Sequence, residues 1–258
     1  MKRIPLAAWT ALVLAALYAP IAVMAAFSFS ESPYFQWKGF TFDWYRKIWT
    51  DHAIRSSLSN TLVLAAVSTV LATVLGTTAA LAARDAFRGK RLYTTLVSLP
   101  VMVPDIVLAI ALLALFRAVG MSLSLWTAAI AHTTFNLSYV AVVVSARLQG
   151  MDRSTELAAQ DLGATPFQAF WKVTFPAILP GILSGALLAF TLSFDDFVIT
   201  YFTTGPDSST LPMLIYSKVR FGGTAEMRAL STVLLLASVG LIGLSLKLSR
   251  VPVAGGGR

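Results

Sequence analysis

Three carboxylates lie in or beside long uncharged stretches. Asp105 interrupts the run Leu92–Phe116, and Asp195 and Asp196 close the run Val173–Phe194. An aspartate in the middle of a bilayer costs at least about 2.5 kcal/mol on insertion scales, so it faces a cavity or a partner rather than lipid. If a helix enters at Thr94, Asp105 sits about 16 Å along it, near the centre of a core about 30 Å thick. Acids on an internal face attract a cation, and the neighbouring rings of Phe194 and Tyr201 can add cation–π attraction. The competing reading is a structural partner, such as a basic side chain of another subunit. His132, Asn136 and Tyr139 are spaced i, i+4, i+7 and share one helix face. Such stripes form interhelical hydrogen bonds or line a pore. Asp105, Asp195, Asp196, His132, Asn136 and Tyr139 together are the candidate pathway for a small cationic substrate.

Catalytic chemistry has little to build on. The chain has no cysteine and two histidines, which excludes thiolate nucleophiles and disulfides and leaves no basis for a metal site. A phosphate-binding loop ends in Gly-Lys-Ser or Gly-Lys-Thr, whereas the Gly89-Lys90 pair here is followed by Arg91. No Ser-His-acid or paired-carboxylate arrangement is present. The expectation is a non-enzyme without cofactor, metal or catalytic residue of its own. If ATP drives it, the nucleotide is bound and hydrolysed by a partner chain.

These residues need elements to hold them, and the composition indicates which. Of 258 residues, 57% are hydrophobic and 12% charged, far from the quarter charged of soluble domains. A membrane-crossing helix needs about 20 apolar residues. The uncharged runs predict six, over about 6–27, 58–83, 94–116, 125–146, 177–199 and 229–247, in one all-α polytopic domain comprising residues 1–258. Pro100 and Pro104 predict a kink or unwound stretch in the third, for which the second half offers no counterpart. The apolar part of the first run exceeds a signal-peptide core, so it reads as an uncleaved span. Ala177, Gly181, Gly185, Ala189 and Ser193 recur every fourth residue and predict close helix packing, with Asp196 continuing that face.

The net charge of +8 is spread through every gap between apolar runs rather than gathered in one patch, which argues against nucleic acid as a partner. With both termini cytoplasmic, the inner side holds 12 Lys and Arg (Lys2, Arg3, Arg84, Arg88, Lys90, Arg91, Arg147, Arg153, Lys172, Lys247, Arg250, Arg258) and the outer side 8. The positive-inside rule therefore favours cytoplasmic termini. Trp37, Trp44, Trp49, Tyr201 and Tyr216 fall in the outer loops 28–57 and 200–228, as headgroup-level anchors would.

The inner loop 147–176 carries the strongest signal. Ser154 is predicted as an N-cap, Glu156 lies in the first turn where its charge suits the helix dipole, and Gly163 supplies a stop. Thr165-Pro166 starts a second helix, in which Phe167, Phe170, Trp171 and Thr174 share a face. The result is a short helix, a glycine hinge and an aromatic-faced helix. It could rest on lipid headgroups, or it could dock into a partner's groove through the low surface of Ala158, Ala159 and Gly163.

This loop resembles the EAA loop of permease subunits of ABC importers, whose pattern is Glu-Ala-Ala, three residues, Gly, nine residues, Ile, any residue, Leu-Pro. Ala158, Ala159, Gly163, Val173 and Phe175-Pro176 keep that spacing, while Leu157 fills the Glu place and Glu156 stands one residue earlier. The resemblance implies a type I ABC importer permease fold and a coupling role for Glu156, Leu157, Ala158, Ala159, Gly163, Phe167, Phe170 and Trp171. It implies as partners a dimer of ATP-binding cassette ATPases, a sister permease subunit, a periplasmic substrate-binding protein and the bacterial inner membrane. The stretch Leu192–Ile199, with Phe202–Pro206, Thr210–Pro212, Ile215–Ser217 and Ala229–Thr232, is similar to permeases for spermidine and putrescine. Permeases for ferric iron, thiamine or sulfate are related alternatives, and a stand-alone secondary transporter is a further one.

Overall fold

The computed structural model of the chain describes residues 6–220 and 225–249. Lys2, Arg3, Arg250 and Arg258, which enter the orientation count, lie outside the described residues, as does the side chain of Lys247. The chain runs through α1 (Leu6–Phe27), α2 (Asp43–Thr50), α3 (His52–Ala82), α4 (Lys90–Met102), α5 (Asp105–Ala118), α6 (Leu125–Gln149), α7 (Arg153–Asp161) and α8 (Pro166–Ala169). A π-helical turn, Phe170–Thr174, then leads into α9 (Phe175–Asp195), followed by α10 (Val198–Thr203), α11 (Leu211–Arg220) and α12 (Ala225–Ser249). The fold is all-α; among the described residues the extended pairing is one isolated bridge, Ser30 with Phe40.

Among the described residues, four helices are long and apolar enough to cross a membrane: α1, α3, α6 and the continuous 166–195 stretch ending in α9. The third expected span, 94–116, is not one straight helix. α4 and α5 pass the test only as a pair, bent by 109° at the break. Pro104 drives the residue before it out of the helical region, and Val103 accordingly has φ −84° and ψ 135°. The second span begins six residues earlier than expected, because the Asp51 carboxylate accepts hydrogen bonds from the amides of Ala53 and Ile54. The fifth ends earlier: α9 stops at Asp195 and α10 restarts at Val198, so the second half does contain a break, at Asp196-Phe197. The expected sixth span lies within α12.

Two compact units divide the chain. In the first, residues 1–55 and 215–258, α1 is apolar on every side and exposed at Leu12, Leu14 and Leu17, the condition of a helix solvated by lipid. The loop that follows α1 is held by the buried Arg228, whose guanidinium donates to the carbonyls of Ser32, Pro33 and Tyr34 at 3.0, 3.1 and 3.4 Å. Trp44 donates its indole N–H to the Ser30 carbonyl. Trp37 and Trp49 stay exposed, as interface anchors do.

The second unit, residues 56–214, is organised around α6, which buries thirteen side chains. Small residues let its neighbours approach. A Cβ on Gly76 of α3 would lie 2.7 Å from the Leu137 carbonyl oxygen and from the Val140 Cβ of α6. On α9 the predicted stripe is buried at Gly181, Gly185, Ala189 and Ser193, and it packs against α6. Ala109, Leu112 and Phe116 of α5 join Phe135 of α6 and Ile199 of α10 in a second apolar cluster. These contacts fix α3, α6, α9 and α10 around a polar cluster.

Candidate functional site

The polar cluster centres on His132, buried on α6. Its Nδ1 lies 2.7 Å from the Ser193 hydroxyl and its Nε2 lies 2.9 Å from the Thr200 hydroxyl. Ser193 in turn meets the Ser68 hydroxyl of α3 at 3.0 Å. Asp196 stands where α9 breaks, with Oδ2 3.3 Å from His132 Nε2. Its carboxylate accepts from the amides of Ile199 and Thr200 and from the Thr200 hydroxyl, at 3.3, 2.8 and 2.9 Å. The carboxylate thus receives the first amides of α10, which a helix start leaves without an intrahelical acceptor. One residue chain, Ser68 to Ser193 to His132 to Thr200 and Asp196, knits four helices. Both imidazole nitrogens are engaged within the chain, leaving neither vacant for a ligand.

The other candidate pathway residues are placed differently. Asp195 is exposed at the end of α9, while Asp196 is largely shielded, as the 100° step between successive helical residues requires. Asp105 is not eleven residues into a helix but the first residue of α5, exposed, where its charge favours the helix N-terminus. It lies within electrostatic range of Tyr139, which is half-buried against the Phe135 ring. Asn136 is fully buried, and neither its amide nitrogen nor its oxygen has a hydrogen-bond partner. The structure therefore joins His132 to Asp196, sets Tyr139 near Asp105 and leaves Asp195 apart. Ser68 and Thr200 are members of the cluster that sequence reasoning missed. Their hydroxyls carry no spacing signal, because a lone Ser or Thr in a span is usually bonded to its own helix.

The second candidate is the loop after α6. The N-cap of α7 is Asp152 rather than Ser154: its side chain accepts from the Ser154 amide at 2.8 Å, which holds the Asp152 carboxyl below its usual range. Asp is as good a cap as Ser, and starting earlier adds two residues to the helix. At the far end Gly163 adopts φ +91°, with its N–H bonded to the Gln160 carbonyl and the Ala164 N–H bonded to the Ala159 carbonyl. This is the Schellman geometry that a glycine permits at low cost. Thr165 caps α8, exchanging bonds with Gln168, and Pro166 takes the first turn as expected.

The expected aromatic-faced α-helix takes a different form. After one turn of α8 the backbone widens into the π turn, where the Phe175 N–H reaches back to the Phe170 carbonyl. Thr174 is buried on the inner side instead of sharing the face of the rings. The rings of Phe167, Phe170, Trp171 and Phe175 contact one another, with Trp171 and Phe175 at 4.7 Å. Leu157, Leu162, Phe167 and Trp171 are exposed, Leu162 at 90%. α7 itself has no buried residue. Ala158 is exposed and Ala159 half-exposed beside them, so the loop presents an apolar, low-relief knob.

Glu156 does not belong to that outer surface. It is turned inward and forms an ion pair with Arg84, N to O 2.5 Å, which holds its carboxyl below the ordinary value. Leu157, in the Glu place of the EAA pattern, is the residue turned outward. Sequence reasoning assigned Arg84 only to topology.

Comparison with known proteins places the chain. Residues 72–249 match the model of the binding-protein-dependent transport system inner membrane component. The chain belongs to that family. The putrescine transport system permease protein PotI of Escherichia coli K12 is 42% identical over 239 residues, covering 88% of this chain and 84% of the relative. The spermidine/putrescine transport system permease protein PotC of Haemophilus influenzae is 39% identical, covering 92% and 93%. Among solved structures, a chain of a bacterial ABC transporter involved in import of the acidic polysaccharide alginate superposes with TM-score 0.70 at 17% identity, covering 92% of this chain and 90% of the other. A chain of the MetNI methionine ABC transporter in an inward-facing conformation gives 0.63 at 22% identity, covering 76% and 95%. These two share the fold of this family member: an ABC importer permease, a multi-pass inner-membrane protein.

Proposed function

We propose that this permease forms half of the pore of an ATP-driven importer of polyamines, with both termini in the cytoplasm. The observation that carries the reading is the exposed knob of Leu157, Leu162, Phe167 and Trp171, apolar and mounted on an α7 that buries no residue. A patch of this kind on a water-facing loop marks a partner surface. A separate ATPase dimer, which binds the ATP, receives the knob; a sister permease subunit completes the pore and an external binding protein delivers the solute. Closure of the ATPases displaces the knob and α9 behind it, switching the pore between inward-facing and outward-facing states.

The polyamine assignment is supported by the relatives named above and by carboxylates suited to a polycation. Asp195 is exposed and Asp105 stands at an exposed helix start beside Tyr139. An ammonium group can be held by such carboxylates and stacked on such rings.

The test uses the absence of native cysteine. A single cysteine at Leu162 or Phe167, treated in cells with a bifunctional reagent, is expected to join the permease to an ATP-hydrolysing chain. Cross-links that never include one overturn the docking reading. Uptake of labelled putrescine and spermidine by the assembled transporter, challenged with thiamine, sulfate and ferric iron, tests the solute.

A further inference from the structure

Arg84 and Asp85 are adjacent in the turn joining α3 to α4, and Arg153 and Glu156 are one turn apart on α7. They pair crosswise: Arg84 with Glu156 at 2.5 Å and Arg153 with Asp85 at 2.6 Å. α7 buries no residue, and neither does α4. Met151, just before α7, packs on the cluster of Ala80 and Leu148, and beyond it α7 itself is fastened to this turn by charge. The two pairs differ in strength. Arg153 and Asp85 are exposed, and such pairs contribute little. Arg84 and Glu156 retain only 16% and 19% of their side-chain exposure, so water screens them less.

The arrangement also has a register. Residues 153 and 156 are about 4.5 Å apart along the helix axis. Sliding α7 by that distance along the turn would set Arg84 against Arg153 in one direction, or Asp85 against Glu156 in the other, a like-charge encounter either way. The crossed signs hold one alignment and penalise the next. Behind the clasp lies a cleft of about 750 Å³ between α3, α4 and α6, lined among others by Ala79, Lys90, Tyr93 and Ser145.

We infer that the Arg84–Glu156 pair, seconded by Arg153–Asp85, is a clasp that transmits displacement of the docking knob to α3 and α4. Arg84 and Glu156 are then positioning residues for transport. This rests on the docking role proposed above and adds a second output to it: α9 is driven through the chain itself, whereas α3 and α4 are driven through the clasp. It also gives Glu156 an intrachain role, leaving the outward Leu157 to meet the ATPase.

The experiment compares Arg84→Glu, Glu156→Arg and the double exchange in the complete transporter reconstituted in vesicles, measuring ATPase retention, ATP hydrolysis and solute uptake. Each single reversal is expected to keep the ATPase bound but to lower solute moved per ATP at least tenfold, and the double exchange to recover it to within threefold. Glu156→Gln, which removes the charge with little change of shape, is expected to lower the same ratio and serves if a reversal reduces abundance. Normal coupling in Glu156→Gln and in the reversals overturns the clasp, as does a double exchange that assembles yet stays as uncoupled as its parents. A wild-type chain that never retains an ATPase refutes the docking reading instead.

Discussion

Replacing Gly76 and Gly185 by alanine, one at a time, separates close helix packing from simple small-residue preference. On Gly76 the new Cβ would lie 2.7 Å from two atoms of α6, against an ordinary contact of 3.4 Å or more, so α3 must retreat by about 0.7 Å. One of the two is a backbone oxygen and the other a Cβ, so rotation of a side chain relieves neither. Overpacking of this kind costs about 1–3 kcal/mol. The gain in helix propensity from Gly to Ala is about 1 kcal/mol and offsets only part of it. On Gly185 the nearest atoms are at 3.3 and 3.4 Å, so the strain is slight and the propensity gain is free to show. The expected outcome is opposite signs. Gly76→Ala lowers the thermal midpoint of the purified transporter by several degrees, at about 2–4 °C per kcal/mol for a chain of this size. Gly185→Ala leaves it unchanged or raises it. Adding Val140→Ala should not rescue Gly76→Ala, since the Leu137 oxygen and a Cβ at 140 remain. The assay is loss of monodisperse complex on heating in detergent. Equal midpoints for the two alanine variants, or rescue by Val140→Ala, would refute the reasoning.

Gly163→Trp places a bulky side chain where φ is +91° and no atom lies within 4 Å, so it strains the turn and blocks the knob without touching the membrane core. Uptake is expected to fall at least tenfold at normal membrane abundance, and normal uptake would count against docking. Asp195→Asn, at an exposed position, is expected to spare the thermal midpoint and raise the KM for polyamine uptake. Asp196→Asn should lower the midpoint by several degrees, because it weakens the acceptor of the Ile199 and Thr200 amides and the partner of His132. Arg84 depresses the Glu156 pKa, so the pair's stabilisation is fully present above the ordinary value of 4.5 and is lost as pH falls below it through the lowered folded value. Protease cleavage within α7 should accordingly be flat from pH 8 to 5 and rise only in more acid buffer, and a rise near pH 6 would contradict the pairing.

The spans and the knob were legible because each rests on a repeated signal. Apolar runs long enough for a bilayer mark α1, α3, α6 and α9, and the small-residue stripe from Gly181 to Ser193 is buried as its fourfold spacing required. Gly163 and Pro166 mark the ends of α7 and α8 because their backbones have few alternatives. What was not legible depends on contacts between distant residues. The break at Asp196 arises where a carboxylate finds amides and an imidazole to hold, and no apolar pattern announces that. The inward turn of Glu156 depends on Arg84, 72 residues away. The π turn depends on packing that buries Thr174, which local helix rules ignore. A count run straight through Val103-Pro104 sets Asp105 deep in a helix, whereas the chain changes direction there by 109°.

The wide turn at Phe170–Thr174 has a consequence for how this chain tolerates change. It sets the angular phase between the rings of the knob and the glycine seam of α9, since a π turn accommodates one residue more than an α turn of the same rise. Removing a single residue there would restore regular winding with the phase nearly kept, whereas removing one from the regular part of α9 would rotate everything upstream by about 100° relative to the rest of the seam. The π turn is therefore the one place in this segment where a residue can be lost without turning the knob away from the seam, and the same loss a few positions later would turn it by more than a quarter circle.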